Sequence, residues 1–223
     1  MIKKKLSIGA ALVVALVVLG VGQAKFQESS VAAGSGVMAP HFEVDPYWPR
    51  PLPHMWAMGN TIGVDVDERD HVYVVHRNDA SQFGGNTEVG LQGGVSECCT
   101  PAPPIIEFDH AGNVVNAFGG PDPDAPYSWP ESNHGIEIAP NGDIWIGGNG
   151  GSDSHMLVFT RNGEYIRTVG IPGEDQDSNS QTHFSRVAEI AIDVEANEAY
   201  IADGYRNRRV AVLDVSTGAF KRY

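Results

Sequence analysis

Apolar and polar residues alternate in short bursts along this chain, and the clearest burst is 134–148. Ile136 and Ile138 alternate with polar neighbours, Pro140-Asn141-Gly142-Asp143 interrupts, and Ile144 and Ile146 resume the alternation. Period-two hydrophobicity on both sides of an Asn-Gly pair predicts a β-hairpin, because each strand buries alternate side chains and the turn needs residues tolerant of positive φ. The same unit runs from Gly63 to Arg77 around Glu68-Arg69-Asp70, and from Glu189 to Asp203 around Glu195-Ala196-Asn197. Two further strands follow each hairpin. They are Pro104–Asp109 and Val114–Phe118, then Met156–Thr160 and Tyr165–Gly170, then Arg209–Asp214 and Ala219–Tyr223. No segment beyond the N-terminus sustains a 3.6-residue period, so helix should be scarce. Four antiparallel strands repeated every few tens of residues predict an all-β protein, a β-propeller with blades at 62–119, 134–170 and 189–223.

Three blades are fewer than the roughly four to eight that close a propeller. The expectation is therefore an N-terminal piece, 41–223, of a larger ring, with a short strand at His41–Asp45 completing a last blade. An insertion at 78–103, rich in Gly, Ser and Pro, separates the second and third strands of the first blade. Insertions of this length in compact repeats are commonly functional loops.

Met1–Ala24 combines Lys3, Lys4 and Lys5 with an apolar run from Ile8 to Val21 and a small-residue end, Gly22-Gln23-Ala24. That is the order of a cleaved signal peptide, and the run is short for a membrane span. It predicts an exported protein, periplasmic or extracellular, with no membrane attachment after cleavage and a flexible lead-in at 25–40. Met1–Ala24 carries three Lys and no acid, so the remaining chain has 12 basic and 28 acidic residues and a formal charge of −16. Without a basic cluster, nucleic-acid binding is excluded as an expectation. Cys98 and Cys99 are adjacent, closer than metal-site spacing. A vicinal disulfide or a pair of packed thiols fits them, and a structural role is expected.

The blade pattern, apolar-x-apolar-Asp, a turn, Val-Tyr-Val, and later Asn-x-Arg-Val, resembles the NHL-repeat family of six-bladed propellers. Asp203-Gly204-Tyr205-Arg206-Asn207-Arg208-Arg209-Val210 looks like the corresponding stretch of the peptidyl-α-hydroxyglycine α-amidating lyases and their bacterial relatives. The resemblance covers roughly 60–223. It implies zinc ligation by His134 of a blade-opening His-Gly pair, a catalytic base at Tyr205, and substrate binding by Arg77 of His76-Arg77. It also implies a structural calcium held partly by the backbone carbonyls of Val64 and Ile136. This sequence departs from the family at Asn133, where the lyases carry Pro, and in the insertion holding Glu97-Cys98-Cys99-Thr100-Pro101. The family's other zinc histidines and an Asp calcium ligand belong to later blades.

Blade topology gives an independent check. The start of a first strand and the end of a second lie on one face, so His134, Arg77 and Tyr205 should converge there from three successive blades. A neutral His nitrogen is a good zinc ligand. Tyr205 beside zinc and Arg77 would ionise below its usual pKa of about 10 and accept a substrate hydroxyl proton. Arg77 would grip a carboxylate with two parallel bonds. Asp203 and Asn207 should fix their turn, and Arg209 should pair between blades. Trp129, Trp145 and Tyr127 should pack the core, while His155, His183 and Asp153 fall in loops with no matched role. The acidic run Glu174-Asp175-Gln176-Asp177 reads as a solvated face. The leading expectation is an exported, metal-dependent, lyase-like propeller acting on a small-molecule or peptide substrate. The alternative is a non-catalytic propeller whose face binds a protein partner.

Overall fold

The computed structural model describes residues 14–25, 40–78, 99–173 and 176–223. Outside them lie the start of the leader, most of the lead-in, most of the insertion with Cys98, and Glu174-Asp175 of the acidic run. Two compact units make up the chain, Met1–Pro46 and Tyr47–Tyr223. In the first, residues 14–25 are helical, and no described helix is long and apolar enough to cross a membrane. The strand expected at His41–Asp45 is absent. Phe42 and Val44 are 84% and 91% exposed, because a short alternating segment makes no strand without a ladder to take its N–H and C=O groups.

The second unit holds the propeller blades. β1 (Trp56–Ala57) leads into blade 1, made of β2 (Thr61–Val66), β3 (Val72–His76), β5 (Ile105–Phe108) and β6 (Val114–Phe118). β4 (Thr100–Pro101) ends the insertion and pairs parallel with β1. Cys99, just before β4, is disulfide-bonded, which sets aside packed thiols. Blade 2 is β7 (Asn133–Ile138), β8 (Ile144–Gly148), β9 (His155–Phe159) and β10 (Tyr165–Gly170). Blade 3 is β11 (Glu189–Asp193), β12 (Glu198–Asp203), β13 (Arg209–Asp214) and β14 (Phe220–Arg222). Each blade is a four-stranded antiparallel meander, as the alternation predicts.

One turn design recurs. In 67–71, 109–113, 139–143 and 160–164 the first residue's N–H bonds the carbonyl four residues on, and its own carbonyl takes the N–H of the fourth residue. That fourth residue has positive φ: Asp70 at 58°, and Gly112, Gly142 and Gly163 between 85° and 88°. This is a tight turn closed by a left-handed residue, which suits Gly and, next best, Asp or Asn.

Between blades the side chains make two apolar seams. Tyr73, Val75, Ile105, Ile136, Ile144, Ile146 and Phe159 fill the first, between blades 1 and 2. Trp145, Met156, Val158, Phe184, Val187, Ile201 and Leu213 fill the second, between blades 2 and 3. Trp145 is fully buried, and Tyr127 and Trp129 pack against the first seam. The first strands of successive blades are also stitched by carboxylates. Asp65 Oδ2 accepts the Ile138 N–H at 2.6 Å, and Glu137 Oε1 accepts the Ile192 N–H at 3.0 Å. Asp65 and Glu137 hold equivalent places in β2 and β7, so this is a repeated device.

Candidate active site

The opening of each first strand lies beside the close of the second: Thr61 pairs with His76, Asn133 with Gly148, and Glu189 with Ala202. At this end the blade 2 ladder slips register between Asn133 and Ile136. A bulge turns a side chain out of strict alternation. His134 lies in it, and its Nδ1–H donates to the Ala188 carbonyl at the entrance to blade 3, at 2.8 Å. A carbonyl only accepts, so in the neutral ring Nε2 carries the lone pair. The Tyr205 hydroxyl, beyond the end of β12, donates to that Nε2 at 2.9 Å, with the two rings edge to face. Tyr205 is 54% exposed and open to a reactant.

Arg77 follows β3 and is buried. Burial lowers its guanidinium pKa, while Tyr205 nearby pulls the other way. Its Nη2–H donates to Asn149 Oδ1 at 3.1 Å. The structure therefore brings His134, Tyr205 and Arg77 together from three successive blades. Asn149 joins them from the end of β8; its sequence context, a polar residue after Gly147-Gly148, carries no signal beyond a strand end.

A buried ion pair frames Tyr205. Asp203 Oδ2 takes Arg209 Nε at 2.8 Å and Asn207 Nδ2 at 2.8 Å, and Asp203 Oδ1 takes the Ser185 N–H at 2.7 Å. Arg209 then fans out to the carbonyls of Ser178, Ser180 and His183 in the link entering blade 3. Asp203 and Asn207 fix the turn as expected. Arg209 does not bridge blades: its partners are its own blade and the segment leading into it, because β13 begins directly opposite Asp203.

Val64 and Ile136 lie further along the first strands. The N–H groups of Val66 and Ile138 both go to Asp65, not to the neighbouring strand. N–H and C=O of one antiparallel residue point the same way and alternate along the strand. The carbonyls of Val64 and Ile136 therefore face the inner edge of the blades. Glu137 is close by, its carboxyl pushed up to about 7 by burial first and by Asp65 and Glu189 next. Oxygen ligands amid crowded carboxylates suit a hard cation. The oriented, lone-pair-bearing Nε2 of His134 suits zinc, whose histidines ordinarily donate their other N–H to a carbonyl or carboxylate.

Two other places hold chemistry-bearing side chains. His155 is not in a loop: it opens β9, buried, with Nε2 bonded to the Ser128 carbonyl at 2.7 Å. Asp153 is in a loop and caps the N–H groups of Gly150, Glu131 and Ser132. At the hairpin end of blade 1, away from His134, ligand atoms of Asp67, His71 and Glu107 lie within 4.8 Å of one another. Arg69 occupies that cluster, 2.6 Å from Asp67 and 2.7 Å from Glu107, so it is an internal ion-pair network.

Repeated four-stranded antiparallel blades with first strands side by side make the chain a β-propeller. No family model matches it. Over 164 residues it is 26% identical to a probable peptidyl-α-hydroxyglycine α-amidating lyase of Caenorhabditis elegans, an alignment covering 70% of this chain and 42% of that protein. Among solved structures it is similar to selenomethionine-substituted virginiamycin B lyase from Staphylococcus aureus, at 18% identity and a TM-score of 0.38, with 73% of this chain and 55% of that one covered. The chain thus spans less than half the length of the curated relative. Its sequence resembles that of the amidating lyase.

Proposed function

We propose that the protein is an exported lyase that cleaves a peptidyl-α-hydroxyglycine, or a small α-hydroxy amide like it, into an amide and an aldehyde acid. The observation that carries this reading is that the Tyr205 hydroxyl lies 2.9 Å from His134 Nε2, in the place a zinc on that nitrogen would take from it, with Arg77 alongside. Arg77 holds the substrate carboxylate. Tyr205 is the base that takes the proton of the substrate hydroxyl. The C–O bond becomes a carbonyl, the C–N bond breaks, and the leaving amide nitrogen receives the proton back from Tyr205. His134 Nε2 is the zinc ligand this chain offers, one of the roughly three protein ligands a catalytic zinc takes. When bound, zinc supplies stabilisation of the negative charge that develops on the hydroxyl oxygen. The inward carbonyls of Val64 and Ile136 would hold a structural calcium. The leader-like start of the chain supports export.

The test is metal content and turnover of the purified protein beside His134→Ala and Tyr205→Phe. About one zinc per chain is expected, lost in His134→Ala. Tyr205→Phe should keep the metal and lose turnover. Metal-free wild type without turnover overturns the reading and leaves a binding propeller.

A further inference from the structure

We infer that Asn133 and Asn149 of blade 2 are positioning residues that hold Arg77 of blade 1 at a fixed reach from His134. They thereby set the substrate length accepted between the carboxylate and the reacting hydroxyl. The inference rests on the reading of Arg77 as the carboxylate clamp.

Asn133 is fully buried and crosses the first seam. Its Oδ1 accepts the Trp129 indole N–H at 2.7 Å, and indole can only donate, so the amide orientation is settled. Its Nδ2 then donates to the His76 carbonyl at 2.8 Å. The other half of that peptide is also held, since the Arg77 N–H donates to the Asn60 carbonyl at 3.1 Å. His76 itself is pinned three ways. Its N–H goes to Pro104, its Nδ1 accepts the Gly59 N–H, and its Nε2–H donates to Pro103 at 2.8 Å. The peptide entering Arg77 is thus fixed on both faces, which sets the direction in which the side chain leaves.

The far end of that side chain is held by the same blade. Asn149 Oδ1 accepts the guanidinium, and the Asn149 N–H donates to the Ser132 carbonyl at 2.9 Å, one residue before Asn133. Asn133 in turn pairs with Gly148. The contacts close a ring: Arg77 backbone, Asn133, the β7–β8 ladder, Asn149, Arg77 guanidinium. His134 is the next residue after Asn133. The span from clamp to metal-ligating nitrogen therefore runs through a few hydrogen-bonded residues. Polar groups placed this way act on geometry to within fractions of an ångström, the tolerance on which a positioned reaction depends.

The experiment compares wild type with Asn149→Ala, Asn149→Asp and Asn133→Asp. Asn133→Asp keeps the acceptor for Trp129 and loses the donor to His76. One measurement needs neither metal nor substrate: the rate at which phenylglyoxal modifies Arg77, mapped by peptide mass spectrometry. Asn149→Ala and Asn133→Asp should raise that rate several-fold, and Asn149→Asp, which retains an acceptor, should stay near wild type. The second measurement is turnover of an α-hydroxyglycine and of its homologue one methylene longer. Asn149→Ala should raise KM ~10-fold with kcat within about twofold, and should bring the two substrates' kcat/KM values together. Wild-type modification rates in both loss-of-contact variants overturn the clamp. So does a fall in kcat with KM unchanged. If wild type turns over neither substrate, the proposed function fails, and the modification rates alone decide the clamp.

Discussion

Arg209→Met should be among the most destabilising single changes in blade 3. Both partners of the ion pair are withdrawn from water, the Arg209 side chain 4% exposed and that of Asp203 0%. Removing the guanidinium leaves the buried Asp203 carboxylate, among the described residues, with the Ser185 N–H and the Asn207 amide, and takes a donor from each of the carbonyls of Ser178, Ser180 and His183. Breaking a buried pair from one side costs about 3–5 kcal/mol, a large part of the ~5–15 kcal/mol that holds a typical domain together. Adding Asp203→Asn removes the stranded charge. The double variant should therefore recover roughly 2 kcal/mol, leaving mainly the cost of unmade hydrogen bonds to the link. Urea unfolding followed by tryptophan fluorescence gives both values, provided the m-value stays constant. An Arg209→Met cost below about 1 kcal/mol, or a double variant no better than the single, would refute the argument. Tyr205 lies inside the turn these residues frame, so native Arg209→Met protein should also show weakened coupling of Tyr205 to His134.

Acid should weaken the fold through its buried histidines. Burial holds the pKa values of His76 and His155 below the usual range, against opposing bonds to the carbonyls of Pro103 and Ser128. The unfolded chain then protonates first, so their contribution is complete above about pH 6.5 and is lost as pH falls below it. Glu137, pushed up to about 7, titrates in part of this window with the opposite sign. The clean readout is therefore a difference: His155→Gln should show a shallower fall of urea midpoint between pH 7 and pH 5 than wild type, and an equal slope would defeat the idea. Gly142→Ala should cost about 1–2 kcal/mol, since φ is +88° and a Cβ would lie 2.9 Å from the Arg161 side chain. Thermal melts check this, with an unchanged Tm as the contrary result.

Local structure was legible where local chemistry dictates it. Glu189–Asp193, Glu198–Asp203 and Val114–Phe118 are strands to the residue, because period-two burial and turn residues agree there. His155 was misplaced because Ser152-Asp153-Ser154 reads as a turn that runs on, while the pairing of His155 with Gly170 draws it into the ladder. The convergence of His134, Tyr205 and Arg77 followed from topology. Their attachments did not: the Arg77–Asn149 bond, the Asn133–His76 bond and the Arg209 fan depend on which polar atoms meet across 26 or more positions of sequence. Asp65 and Glu137 look like any solvated strand carboxylates until the neighbouring blade is in place.

Those two carboxylates bear on how the molecule keeps its alignment. Each reaches forward from one blade to the next, so the contact is head to tail and composes by repetition. Apolar surfaces resist separation but slide easily; a short bond to a particular N–H fixes height along the axis. His134, Tyr205 and Arg77 belong to three blades, so the level at which they meet is an accumulated quantity, the sum of two junction settings. A change at Asp65 would act on the candidate site as a change of length acts on a linkage, shifting one member relative to the others while every local contact around it stays intact.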